Sequence, residues 1–215
     1  MPREPLFQFP DRPISDSAFS GPKIALIHGL MARSHMQRHL LHYLRDQGHT
    51  DTTMYGHLHS PRAIAEELRS AVDANRKIAL IGYSQGGFQA VEVARELHGA
   101  GVPVDLLVTI AAGGLGRAFP GRWRAEPRQI PSNVKQCINL FSEGDILGCD
   151  RRYQRNLATP TMAGQFVENH GFSRVDGISH IDLVRCYPEG RVHPQVRSLV
   201  LGRLMRELSL MENPG

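Results

Sequence analysis

Cysteine is scarce in this chain of 215 residues: it occurs at Cys137, Cys149 and Cys186, with no C-x-x-C spacing. A disulfide-stapled scaffold is therefore not expected, and the cysteines suggest neither a zinc site nor a redox pair. Cys137 lies in an apolar run and reads as a small buried residue, while Cys149 and Cys186 read as two reduced thiols. Lysine is equally scarce, at Lys23, Lys77 and Lys135, so nearly all the positive charge is arginine. No apolar run reaches the roughly 20 residues of a membrane helix. The opening Met1-Pro2-Arg3-Glu4-Pro5 lacks the apolar stretch of a secretory signal, and the expected location is cytoplasmic. Linkers, internal repeats and low-complexity segments are missing too.

The composition that remains, 41% hydrophobic and 21% charged, is that of an ordinary globular protein. A chain of this length buries a sizeable core without disulfides or metals. The expected organisation is an N-terminal arm over residues 1–20, rich in proline and without a period, followed by one domain over 21–215.

Short continuous apolar runs alternate with amphipathic stretches. Lys23–His28 and Lys77–Tyr83 are near-copies in residue type, as two central strands of one parallel sheet require. Val104–Ala112 and Val134–Phe141 read as further strands, with others near Thr50–Tyr55 and Phe172–Val175. Ser34 with Gln37 forms a capping-box pattern before Met36, Leu40, Leu41 and Leu44, and Gly48 supplies a stop. Ser60-Pro61 opens a helix burying Ile64, Leu68, Ala71 and Val72. Phe88, Val91, Ala94 and Leu97 mark a helix ending at Gly99. A C-terminal helix from Pro194 buries Val196, Leu199, Val200, Leu204 and Leu208. The order predicts an α/β fold: a three-layer α/β/α sandwich with a mainly parallel central sheet.

Gly82-Tyr83-Ser84-Gln85-Gly86 matches G-x-S-x-G between a buried strand and a helix. Side chains at the flanking glycines would strike the neighbouring strand and helix, and the turn lifts the Ser84 hydroxyl above the sheet. A serine hydroxyl needs a base, and the base needs a third group to fix its tautomer. An acid turn follows the strand Val134–Phe141, and Asp145 is preferred there because Gly144 permits a tight turn; Glu143 and Asp150 remain alternatives. His180 lies downstream of that acid on a loop near the chain end, in the order Ser, acid, His. Asp182 beside it reads as a helix cap. Oxyanion donors are expected from the backbone N–H of Gln85 and of Leu30, with Met31 in reserve. His28, Gly29, Met31 and Tyr83 are expected to line the substrate.

These residues resemble the α/β-hydrolase superfamily, through His28-Gly29, Gly82–Gly87, the Asp145 turn and the Ser179-His180 loop. The likeness covers about residues 21–210. The elbow G-Y-S-Q-G-G is similar to that of cutinases and of carboxylesterases related to acyl-protein thioesterases. The cutinase disulfide pattern and the Val-Pro after the acid turn are missing, so no subfamily is assigned. The resemblance implies hydrolysis of an ester or thioester by a serine esterase or lipase-like enzyme, without metal or organic cofactor. A non-catalytic ligand-binding or signalling protein on the same fold is the alternative.

The stretch Gly113–Asn133, where a cap domain is often inserted, is too short for a large one, which implies an open site. Arginines gather at Arg117, Arg122, Arg124 and Arg128, and again at Arg151, Arg152 and Arg155. The first group is expected at the site mouth, attracting an anionic or carrier-linked portion of a small-molecule substrate. No aromatic-interleaved motif accompanies them, so a nucleic-acid partner is not expected. His35, His39 and His42 lie at helical spacing without a local carboxylate or cysteine, and no metal site is assigned to them. Gly113-Gly114-Leu115-Gly116 lacks the third glycine of a dinucleotide loop.

Overall fold

The computed structural model of the chain describes residues 11–13, 21–118, 126 and 128–212. Its strands are β1 (Lys23–His28), β2 (Thr52–Gly56), β3 (Ile78–Tyr83), β4 (Val104–Ile110), β5 (Gln129–Ile130), β6 (Val134–Ser142), β7 (Thr159–Pro160) and β8 (Phe166–Phe172). One sheet has the order β2-β1-β3-β4-β6-β8, with every neighbouring pair parallel. β5 and β7 form a separate short parallel pair. The helices are α1 (33–46), α2 (Pro61–Asp73), α3 (Gln85–Gly99) and α4 (196–212). α1 carries a π-helical turn at Gln37–Leu41, and α4 begins with one at Val196–Leu201.

The continuous apolar runs of the central strands follow from burial on both faces. In β1, Ile24 and Leu26 join a core with Met36, Leu40, Leu41 and Leu44 of α1 and Val196, Val200, Leu204 and Leu208 of α4. Ala25 and Ile27 face the other way, toward Ile64 and Leu68 of α2 and Ala90, Val91, Ala94 and Leu97 of α3. This is the expected three-layer sandwich. Fully burying one such aliphatic side chain stabilises the fold by about 1.5–3 kcal/mol.

The strand order creates the crevice used by the site. From β1 the chain passes over α1 to β2 on one side; from β3 it passes over α3 to β4 on the other. The carboxyl ends of β1 and β3, at His28 and Tyr83, therefore part company at the point where ligands settle in open α/β sheets.

Several expectations need correction. Ser34 is not a cap: α1 starts at Arg33 after Ala32, with no side-chain hydrogen bond at its N-terminus. Ser60 does cap α2, accepting from the Ala63 N–H with Pro61 in the first turn. Val72 and Leu199 are 37% and 41% exposed, so neither belongs to the core. At Leu199 the cause is the π-helical turn, whose longer period moves that residue off the stripe and brings Leu201 onto it. The last strand is Phe166–Phe172, earlier than Phe172–Val175. It is an edge strand, half-buried along most of its length, and its sequence FVENHGF has no apolar run. Val175 lies beyond it, 91% exposed. Of the N-terminal arm only 11–13 fall among the described residues, and there the Asp11 carbonyl accepts from the Met54 N–H at 2.7 Å on edge strand β2. No helix among the described residues is long and apolar enough to cross a membrane.

The two leucines of α4 test this helical phase. Leu204→Ala is expected to cost about 2–5 kcal/mol in urea denaturation. Leu199→Ala is expected to cost about 0.5 kcal/mol or less.

Candidate active site

Ser84 stands between the last residue of β3 and the first of α3 with φ 55° and ψ −122°, a conformation L-residues rarely adopt. Its N–H donates to the Ile110 carbonyl at the end of β4 (2.8 Å), and its carbonyl accepts from the Gly87 N–H (2.9 Å). The glycines of the motif are required by close approach. A Cβ on Gly86 would lie 2.0 Å from the Ile27 carbonyl oxygen, and one on Gly82 would lie 2.3 Å from the Gly86 carbonyl oxygen.

The loop after β1 closes over the elbow. A Cβ on Gly29 would stand 2.8 Å from the Ser84 Cβ and 3.1 Å from the Gln85 nitrogen. The Ala32 N–H donates to the Gly29 carbonyl (3.3 Å), so Leu30 and Met31 form the middle of a tight turn, 54% and 95% exposed. Both expected oxyanion donors, Leu30 and Gln85, thus belong to segments that meet at Gly29. His28 is half-buried, and burial pushes its pKa below the ordinary histidine value. Its Nδ1 lies 2.8 Å from the Gly29 carbonyl oxygen, which requires the ring proton on that nitrogen.

The acid turn follows β6. The Asp145 N–H donates to the Ser142 carbonyl (3.0 Å), and Oδ1 accepts from the Leu147 and Gly148 N–H groups, each at 3.0 Å. Oδ2 faces His180 Nδ1 at 2.6 Å, with the carboxylate 1% exposed. A carboxylate there holds the imidazole proton on Nδ1 and leaves Nε2 as the acceptor. The alternatives lie elsewhere: Asp150 pairs with Arg117 Nε at 2.7 Å, and Glu143 is exposed.

His180 sits in a loop fastened by side chains. The Ser142 hydroxyl donates to the Ile178 carbonyl (2.7 Å), and the Tyr83 hydroxyl donates to the His180 carbonyl (3.1 Å). The Tyr83 ring lies against the imidazole with centroids 4.9 Å apart. Burial pushes the Tyr83 phenol up, with Asp145 and Asp182 adding to the effect, so it remains an O–H donor. Tyr83 is 1% exposed, which corrects the expectation that it lines the substrate: it lies beneath the histidine. Asp182 does not cap a helix start. It lies within the short 3-10 turn Ile181–Val184, where its carboxylate accepts from the Ser179 N–H (3.2 Å) and hydroxyl and pairs with Arg185. Nothing in the sequence singled out Ser142, because its role depends on a partner far along the chain.

The α1 histidines serve the same loop. His35 Nε2 lies 3.1 Å from the Ile181 carbonyl oxygen, and His39 Nδ1 accepts from the Cys186 and Tyr187 N–H groups at 3.4 and 3.2 Å. His42 pairs with Asp46. Among the described residues, no group of three or more His, Cys, Asp or Glu is gathered to hold a metal ion. Cys137, Cys149 and Cys186 are buried free thiols. Of the arginines expected at the site mouth, Arg122 and Arg124 lie outside the described residues. Arg117 and Arg128 are internal ties instead: they pair with Asp150 and Glu126, and both donate to the Arg155 carbonyl.

No family model and no curated protein matches the sequence. Solved structures do match. An esterase of Pyrobaculum calidifontis aligns with a TM-score of 0.55 at 12% identity, over 89% of this chain and 76% of that one. An alpha/beta hydrolase superfamily protein from Enterococcus faecalis gives 0.52 at 13% identity, over 92% of each chain. RedJ, a thioesterase from the prodiginine biosynthetic pathway in Streptomyces coelicolor, gives 0.50 at 13% identity, over 92% of this chain and 91% of that one. At such identities the likeness speaks for architecture: this chain has the α/β-hydrolase fold.

Burial, with His35, Arg185 and Arg38 adding to it, pushes His39 down to about 4 from 6.5. Between those values the unfolded chain binds a proton that the folded chain does not. The stability gained by keeping His39 neutral is therefore full above pH 6.5 and is lost as pH falls toward 4. Denaturant midpoints measured across that interval are expected to fall less steeply in His39→Gln than in the wild type; equal slopes would contradict the assignment.

Proposed function

We propose that this chain is a serine hydrolase that cleaves a carboxylic ester or thioester through an acyl-enzyme, with Ser84 as nucleophile, His180 as base and Asp145 as orienting acid. The supporting observation is the 2.6 Å contact between His180 Nδ1 and Asp145, held on the rim of the sheet by the residue that precedes Ser84. With its proton on Nδ1, His180 takes the Ser84 hydroxyl proton on Nε2 as Oγ attacks the carbonyl carbon. The tetrahedral oxyanion is then stabilised by the N–H groups of Gln85, at the N-terminus of α3, and Leu30. His180 returns the proton to the leaving alcohol or thiol as the carbon–oxygen or carbon–sulfur bond breaks. Water, deprotonated by the same imidazole, releases the acid. None of these steps calls for a metal or an organic cofactor. Esterases and thioesterases among the structural neighbours fit the reading, and the three free thiols fit a reducing, cytoplasmic setting.

A fluorophosphonate probe is expected to label the wild type and not Ser84→Ala. Asp145→Asn is expected to lower kcat by roughly 10³–10⁴, as loss of the orienting carboxylate does in a serine triad. Absence of labelling in a folded wild type would favour a ligand-binding protein that lacks turnover.

A further inference from the structure

On the rim that carries Ser84, the loops after β4, β6 and β8 enclose a cleft of about 770 Å³. That volume suits a small organic ligand. Leu115, Ile146 and Tyr153 supply an apolar lining and are 60%, 72% and 44% exposed. Arg151, Arg174, Glu143 and Asp150 supply the charges. Asp150 is already engaged, with Arg117 Nε at 2.7 Å and the Gly114 N–H at 3.4 Å on its Oδ2. Arg174 donates to the Glu143 backbone carbonyl at 3.5 Å. The two guanidiniums of Arg151 and Arg174 therefore outweigh the Glu143 carboxylate. An adjoining hollow of about 340 Å³ adds Arg152 and Arg155.

The cleft is continuous with the chemistry along the chain. Ser84 is bonded to Ile110 at the end of β4, and Gly114 and Leu115 of the following loop line the cleft. Ile146 follows Asp145 directly. With Gly144 and Ile146 both in its lining, the cleft borders the turn that carries Asp145.

We propose that the cleft receives the far end of the substrate, an oxyanion group joined through an apolar segment to the scissile ester or thioester, on its acyl or its leaving side. The proposal rests on Ser84 acting as nucleophile and adds the substrate class: esters or thioesters that carry a carboxylate, sulfonate or phosphate away from the scissile bond. Leu115, Ile146 and Tyr153 take the apolar segment, while Arg151 and Arg174 take the anion as charge-assisted donors.

Three esters distinguish where the anion lies: para-nitrophenyl butyrate, the para-nitrophenyl half-ester of glutaric acid, and the butyrate ester of a nitrophenol sulfonate. The wild type is expected to favour one of the two anionic esters over the neutral one by about tenfold in kcat/KM. The double substitution R151Q/R174Q is expected to reduce that ratio about tenfold, and the ester affected shows whether the anion belongs to the acyl or the leaving group. Ratios unchanged for both anionic esters overturn the proposal. A second measurement does not depend on turnover: calorimetric binding of phenylbutyrate to Ser84→Ala, expected to weaken about tenfold when R151Q/R174Q is added. If no ester is hydrolysed, the hydrolase reading fails, yet this measurement still decides the cleft. No binding, or binding that the double substitution leaves unchanged, overturns it.

Discussion

Ser84 holds its positive φ because the surrounding backbone leaves it no other place. Its N–H is bound to the end of β4, its carbonyl to the first turn of α3, and Gly29 of the loop after β1 lies so near that a Cβ on it would stand 2.8 Å from the Ser84 Cβ. Such a conformation in a residue with a side chain costs about 1–3 kcal/mol. The cost is met only when β4, α3 and the loop after β1 are assembled around the end of β3, because each of these three supplies one of the contacts. The Ile27 carbonyl approaches Gly86 so closely that no side chain fits at that position. The geometry at Ser84 is therefore a property of the whole sheet.

The histidine is held differently. The segment that carries it, between β8 and α4, contains only short 3-10 turns, so its position cannot come from regular hydrogen bonding. Side chains from the body of the protein bind its backbone: Ser142 at Ile178, Tyr83 at His180, His35 at Ile181, and His39 at Cys186 and Tyr187. Each such bond contributes about 0.5–1.5 kcal/mol net. Together they offset the entropy of an ordered loop. His35 and His39, spaced as metal ligands on a helix are spaced, act here as braces, and burial keeps them neutral for that role.

The sequence revealed most clearly what depends on local chemistry. The central strands show as apolar runs because both their faces are covered. The elbow shows because close backbone approach demands glycine at Gly82 and Gly86. Ser60-Pro61 shows because a cap acts within one turn. Features that depend on distant partners stayed hidden. β8 is half-buried at the edge and carries Glu168, Asn169 and His170, so no apolar run marks it. Leu199 looked internal until a π-helical turn altered the phase of α4. Arg117 is expected from the sequence at the site mouth, yet it pairs with Asp150 on another loop. Tyr83 is expected at the substrate as the neighbour of Ser84, although alternation along β3 sends its side chain under the sheet's helical cover.

Asp145 and Asp150 show how one loop divides two tasks. Both are short carboxylates on the same turn, and sequence alone left either free to face the histidine. Asp145 sits where the loop first leaves β6, so the amides of Leu147 and Gly148 fold back onto Oδ1 and leave Oδ2 for His180. Gly148 is needed there, since a Cβ on it would stand 2.6 Å from that oxygen. Asp150 comes after the fold-back and points to the neighbouring loop, where it ties Arg117 and Gly114 to the acid turn. Asn156 completes that tie, accepting from the Asp150 N–H and donating to its carbonyl. The same bonds that fix the acid loop thus set one wall of the cleft beside it, so the placement of Asp145 and the shape of that wall are coupled through one short stretch of chain.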